Sequence, residues 1–317
     1  MRISRRFKRI VSAMLATALA SFLGTLCMGL MANLPFALSA GMGLNAFFTY
    51  SVCMGMGYTW QQGLAIVFIS GLIFLAISVS PIRKQIIDSI PAPLKAAISA
   101  GIGLFICLIG LLNAGIVTAG NNLLDLSSIT SGPALLALIG LIITGILMAW
   151  KVKGALFIGI LVTTVIGIPM GVTNLSNVSI SFEGISIAPT FFKLSFVGLL
   201  SKGILPLLTA IVTFAMCDCF DTVGTLIGTA GSAGMLDENG NLPRGDKALI
   251  ADACATCVGA CLGTSTVTTF VESSTGISEG ARTGLSSVVV GILFLLGCVL
   301  APIAGIIPSA ATAPALI

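Results

Sequence analysis

Apolar runs long enough to cross a bilayer, about 20 residues each, recur along this chain at 10–32, 61–80, 95–117, 133–150, 154–173, 203–230 and 284–307. Three shorter or interrupted apolar stretches lie at 34–55, 248–262 and 263–280, which gives ten candidate segments. Charged residues make up 8% of the chain and apolar residues 56%, whereas soluble domains carry about 25% charged residues. A soluble core has no use for so much apolar surface, so lipid must be the solvent. In lipid every backbone polar group has to be satisfied within the protein. The expected fold class is therefore an all-α polytopic membrane protein. The nine cysteines sit almost entirely inside apolar runs, where Cys acts as a small hydrophobe. Cys254-x-x-Cys257 has the spacing of half a zinc site, but the chain has no second half and no histidine, so no metal is expected.

Loop charge sets the expected orientation. Arg83, Lys84 and Lys95 fall in loop 81–95, Lys151 and Lys153 in loop 150–154, Arg244 and Lys247 in loop 231–247, and Arg282 before the last run. Lys and Arg resist translocation, so this set is expected on the cytoplasmic side. The alternate loops, including 174–202 with its sequons at Asn174 and Asn177, then face outward. The N-terminus conflicts with that count. Arg2, Arg5, Arg6, Lys8 and Arg9 belong inside, yet counting back through three segments places Met1 outside. A signal peptide ending near Ala18-Leu19-Ala20, with Arg5-Arg6 as a twin-arginine element, is one explanation. The apolar run continues past Ala20, which favours a preceding segment that is absent. On that reading these 317 residues alone would not transport.

Two interrupted apolar stretches in opposite halves suggest a binding site. One centres on Gly41, Gly43 and Asn45, the other runs from Gly263 through Thr268 to Glu272. Each reads as a short extended piece followed by a half-helix. Non-helical backbone at membrane depth survives only where it lines a protein-enclosed cavity. Of eleven acids, seven lie in loops or at segment ends and read as solvated surface. Asp218, Asp221, Asp252 and Glu272 lie within spans, where a charge costs about 2.5–3.5 kcal/mol. Asp218 and Asp221 share a helix face, which Thr222, Thr225 and Thr229 extend. A threonine stripe alone would read as interhelical glue; two acids on it read as a site. Glu272 falls at the expected start of a half-helix, where free N–H groups favour a carboxylate. Asp252, five residues beyond Lys247, is expected to pair with Lys247 or Arg282 and is left out of the site. Gly41 and Gly43 allow close approach of a ligand to the backbone, Asn45 offers a donor and an acceptor, and Phe47 and Phe48 offer flat rings.

These residues resemble the AzgA-like adenine/guanine/hypoxanthine permeases of the nucleobase–ascorbate transporter group. The resemblance is carried by NLPFALSAGMGLNAFF at 33–48, by Asp218-x-x-Asp221-Thr222-x-Gly224-Thr225, by GTSTVT at 263–268 with Glu272-Ser273, by Gly280-x-Arg282-Thr283-Gly284-Leu285, and by PSAATAPAL at 308–316. It runs from about residue 15 to the end. The family usually has Pro where Ala40 stands, so the break before Gly41 is expected to be less sharp. The resemblance implies an inverted repeat of two sevens with a core and a gate domain, here with the first and the last three segments absent. On that frame 10–80 and 203–307 are the two parts of the core, 81–173 is the first half of the gate, and 174–202 is an external loop.

The implied function is secondary active uptake of purine nucleobases (adenine, guanine, hypoxanthine) by cation symport, with a proton favoured over sodium, in the cell inner membrane. Substrate contacts fall on Gly43, Asn45, Asp218, Asp221, Thr222, Thr225, Thr268 and Glu272, with Asp218, Asp221 and Glu272 as proton-coupling groups. No cofactor and no nucleic acid are expected, and a homodimer is compatible with the reading. The alternatives are a carrier of another nucleobase or an anion in the same superfamily, a non-functional fragment, and an ion channel. A channel would spread polar residues along a continuous pore rather than gather carboxylates at two broken segments. An enzyme using Asp218 and Asp221 as an acid pair is disfavoured, because opposed carboxylates normally come from different elements.

Overall fold

Small residues make one helix the centre of the bundle. In Gly245–Leu262 ten of eighteen residues are buried, most of them Ala, Gly or Thr, so neighbouring backbones approach it on several sides. The computed structural model describes residues 5–80, 104, 107–108, 110–118, 125–126, 131–152, 154–173, 186–232, 234–238, 242–278, 280–304 and 306–317. Arg83, Lys84, Asp88, Lys95, Lys153, Asn174, Asn177, Glu183, Glu279 and most of the 95–117 run lie outside the described residues.

The chain divides into two compact units, 1–100 with 183–299, and 101–182 with 300–317. In the first unit α1 (Arg5–Cys27) continues through a π-helical turn to Ala32. Asn33 ends it in the left-handed region at φ 53°, a conformation Asn tolerates, and Pro35 holds the chain extended beyond it. Strand β1 (Leu38–Ala40) follows, then α2 (Met42–Ala46), which runs on as π-helix Phe47–Gly55. Helix α3 (Trp60–Val79) opens with a capping box. The Gln62 N–H donates to Thr59 Oγ1 at 3.3 Å and the Thr59 N–H to Gln62 Oε1 at 3.0 Å, which satisfies two orphan donors.

The second unit holds β2 (Val117–Thr118) paired with β3 (Asp125–Leu126), α4 (Gly132–Ala149), α5 (Ala155–Ile166) and a short terminal helix. The expected 154–173 span stops as a helix at Ile166. Gly167, Pro169 and Gly171, the last at φ 70°, turn the chain.

The first unit resumes with α6 (Ile204–Ser232) and α7 (Gly245–Leu262). Strand β4 (Val267–Thr269), α8 (Ser273–Ser278) and most of α9 (Gly284–Ala304) complete it. Helix α7 packs on α1 and α3, and α3 packs on α6. Gly263 ends α7 at φ 100°, and a side chain there would also run into Thr190. Among the described residues, four helices are long and apolar enough to cross a membrane: Ser12–Ala32, Trp60–Val79, Gly132–Ala149 and Ile204–Gly231.

The two interrupted stretches meet. Strands β1 and β4 pair antiparallel, with Leu38 opposite Thr269, Ser39 opposite Thr268 and Ala40 opposite Val267. Each three-residue strand would strand its backbone groups in an apolar interior, and each supplies the partners the other lacks. Ser21 and Thr25 of α1 fasten β1 from behind. Ser21 Oγ lies 2.7 Å from Ser39 Oγ, and Thr25 Oγ1 donates to the Leu38 carbonyl at 3.0 Å. The start of α9 holds the approach to β1, because Ser287 Oγ donates to the Leu34 carbonyl at 2.6 Å and Asn33 Oδ1 accepts from the Gly284 N–H at 2.8 Å.

Candidate functional site

A face of α6, a face of α7 and strand β4 converge on a cluster of carboxylates and threonines. On α6, Asp218 and Thr222 are buried and Asp221 is half-buried. Their spacing of three to four residues puts them on adjacent turns of one face. On α7, Asp252 and Thr256 repeat the same four-residue spacing, and both are fully buried. Strand β4 contributes Thr268 and Thr269.

The hydrogen bonds tie the three elements together. Asp252 accepts from Thr222 Oγ1 at 2.8 Å and from Thr269 Oγ1 at 2.7 Å, and the Thr269 N–H also points at it. Asp218 Oδ2 accepts from Thr256 Oγ1 at 2.9 Å, and the same hydroxyl lies 2.9 Å from the Val267 carbonyl. Asp218 Oδ1 is buried without a hydrogen-bond partner. Thr268 Oγ1 sits 3.0 Å from Thr222 Oγ1 and reaches toward Asp221. Glu272, exposed at the start of α8, lies within electrostatic range of Asp221. Asn45, on α2, accepts from Ser265 just before β4, which links the two broken stretches by side chains as well as by backbone.

The structure thus gathers Asp218, Asp221, Thr222, Thr268 and Glu272 and brings Asn45 to the same crossing. Thr225 is buried further along the α6 face, and Gly43 lies in the first turn of α2, just after β1. Asp252 corrects the sequence reading. It is 0% exposed and bonds to Thr222 and Thr269, while Lys247 is exposed and Arg282 donates to the backbone carbonyls of Ile277 and Ala281. Thr256, Ser265 and Thr269 belong to the cluster and were not picked out from sequence. The Asp252–Thr256 spacing, which repeats Asp218–Thr222, is the signal that would have found the α7 half. Gly41 is small for packing: a Cβ there would press on the Thr268 methyl. Phe47 meets Phe214 edge-on at 5.0 Å and Phe48 packs against Gly63, so both rings are engaged between helices. Among the described residues, no cluster of metal-ligating side chains occurs.

Buried acids at the junction of two broken segments, in a bundle of apolar helices, define a membrane transport protein. Its fold is that of solved transporters. It superposes on the transmembrane domain of a cyanobacterium bicarbonate transporter, BicA, with a TM-score of 0.71 at 16% identity, over 98% of this chain and 85% of that one. SLC26A9 gives 0.61 at 12% identity, over 98% of this chain and 54% of that one. The chain belongs to the Xan_ur_permease family of permeases, whose sequence pattern matches residues 4–317. Relatives include a permease of Methanocaldococcus jannaschii, 48% identical over 96% of this chain and 70% of that protein. The guanine/hypoxanthine permease PbuG of Bacillus subtilis is 47% identical over 95% of this chain and 68% of its own length. The adenine permease AdeP of Escherichia coli is 40% identical over 95% of this chain and 67% of its own length.

Proposed function

We propose that this permease carries purine nucleobases across the cell inner membrane as a multi-pass proton symporter. The observation that carries the reading is the acid cluster at the β1–β4 crossing, with one carboxylate oxygen, Asp218 Oδ1, buried and without a donor. Leaving a buried acceptor unmade costs about 1–3 kcal/mol, and a proton or a ligand N–H removes that cost. A purine is a flat neutral ring with N–H donors along its edges. In this reading Asp221 and Glu272 accept from such donors, and Asn45 and Gly43 on α2 supply the complementary contacts. Asp218, deeper in the cluster, holds the transported proton in this reading. The relatives named for guanine, hypoxanthine and adenine support the substrate class. An anion is the poorer fit, because the cluster is built of acids. This reading keeps 10–80 with 203–307 as the transport core and 81–173 as gate, which the two compact units, 1–100 with 183–299 and 101–182 with 300–317, support in outline, and it treats the two broken stretches as matching members of an inverted repeat.

The test is uptake of labelled adenine, guanine and hypoxanthine by a host lacking its own purine carriers. The protein is expressed there from a plasmid. Saturable uptake that unlabelled purines compete away and a protonophore abolishes is the expected result. Uptake that survives the protonophore but needs sodium would move the coupling to sodium. Lack of any purine competition would remove the substrate class.

A further inference from the structure

The segment between Thr190 and Gly203 lies in the stretch that loop charge alone assigns to the aqueous exterior, yet its surface is apolar. Phe192 is 67% exposed, Phe196 54%, Val197 84% and Leu200 65%. Such a patch on a water-facing loop marks an interaction site. Its backbone is held by the ends of spans. The Phe192 N–H donates to the Cys261 carbonyl in the last turn of α7 at 2.7 Å, and the Ser195 N–H donates to the Gln61 carbonyl in the first turn of α3 at 3.1 Å. Gln62 Nε2 donates to the Val197 carbonyl at 3.1 Å and the Tyr58 hydroxyl to the Leu199 carbonyl at 3.3 Å. Irregular backbone survives next to hydrocarbon only when the protein supplies partners in this way.

Depth along α3 adds an independent observation. Trp60 opens that span, in the position where Trp marks a membrane–water interface. The Phe196 ring lies 6.4 Å from the ring of Phe68, which is eight residues, or about 12 Å, further along the helix axis. Phe196 therefore reaches below the interface on the flank of a lipid-crossing helix. Lys193 and Lys202 are exposed on either side of the apolar cluster, where their stems can lie along it and their ammonium groups can rise to the phosphates of the headgroups.

We infer that residues 190–203 form a membrane anchor whose exposed aromatic and aliphatic side chains sit among the acyl chains, with Lys193 and Lys202 on lipid phosphates. The lipid bilayer is the partner, and the inference does not depend on the transported substrate. The test uses one tryptophan as a depth probe. With Trp60→Phe and Trp150→Phe in place, Phe196→Trp is reconstituted in nanodiscs of ordinary or acyl-brominated phosphatidylcholine, with iodide as the aqueous quencher. Brominated chains should remove most of the emission and iodide little. Glu238→Trp, in the exposed loop after α6, should show the reverse. Quenching of residue 196 by iodide alone would place the segment in water, and protection from both quenchers would place a second copy of the chain over it; either overturns the anchor. Should Phe196→Trp fail to fold, Val197→Trp gives the same readout without loss of a ring contact. Anionic phosphatidylglycerol should raise the thermal midpoint relative to phosphatidylcholine, and Lys193→Gln with Lys202→Gln should remove most of that rise. A rise undiminished in the double variant would overturn the phosphate contacts.

Discussion

Two enclosed carboxylates on successive helices, Asp218 and Asp252, sit in opposite chemical settings. Asp252 is surrounded by donors from Thr222 and Thr269, whereas Asp218 accepts from Thr256 on one oxygen, has the Thr268 hydroxyl nearby, and keeps its other oxygen without a hydrogen-bond partner. Asp252 thus acts as a clamp that fixes β4 to both α6 and α7. Asp252→Ala leaves two buried hydroxyls without their acceptor, at about 1–3 kcal/mol each. The purified variant should unfold at a clearly lower temperature, and Asp252→Asn, which keeps one acceptor oxygen, should lose less. Equal midpoints for the parent and the Ala variant would refute the clamp. Glu272 is proposed to have a functional role instead. It is exposed at the mouth of the cluster, so Glu272→Gln should leave membrane insertion intact and abolish purine uptake. Normal uptake at normal surface expression would take Glu272 out of the site. The in-span acids were legible from sequence because a charge in lipid needs a reason. Asp252 was misread because Lys247 stands nearby in the chain, while its actual partners Thr222 and Thr269 lie 30 and 17 residues away. Sequence proximity is a poor guide to partners once a helix is buried on several sides.

At the scale of elements, the site depends on where backbones touch. A Cβ on Gly284 would fall on the carbonyl of Gly29, where the start of α9 crosses the π-turn that leads to β1. No side chain can give way there, because the obstacle is main chain. Gly224, on α6, has nothing within 4 Å of the same hypothetical Cβ. Gly284→Ala should therefore lower the yield of folded protein and its thermal midpoint, and Gly224→Ala should leave both unchanged within about 0.5 kcal/mol. Fluorescence size-exclusion profiles and thermal unfolding of the two variants check this. Similar behaviour of both would mean that the α9 start is free to shift. The long helices were legible as apolar runs, to within a few residues at most ends. The β1–β4 pairing was not. Three-residue strands have no readable periodicity, and only the chemistry of Gly, Ser and Thr at the interruptions signalled that the helices break. The π-helical stretch Phe47–Gly55 was equally hidden, since its composition carries no signal that separates a π-helix from an α-helix.

Coupling belongs to the whole molecule, because it relates a proton at one group to the affinity and direction of a substrate at another. On the proposed reading, the two groups are Asp218 and Asp221, on one face of α6. Asp218 is enclosed, with an oxygen lacking a donor, while Asp221 faces Thr268 and Glu272 near the open side of the cluster. The prediction is that the two acids fail differently when neutralised. Asp218→Asn fixes the enclosed group in an uncharged form, so purine binding should persist but lose its dependence on pH. Exchange of internal for external purine should continue in that variant, while accumulation against a gradient stops. Asp221→Asn replaces the acceptor proposed to face the substrate, so both exchange and accumulation should fall together. The sign follows from linkage: if the carrier binds purine better with the proton on, affinity rises as pH falls and levels off once the group is fully protonated. Each added proton equivalent also requires that purine promote proton binding by the same factor. Measuring exchange, accumulation and purine affinity across a range of pH in the parent and both variants decides it. Loss of exchange in Asp218→Asn, or an unaltered pH profile there, would assign the proton to another carboxylate of the cluster. Glu272 and Asp252 would then be the groups to neutralise next.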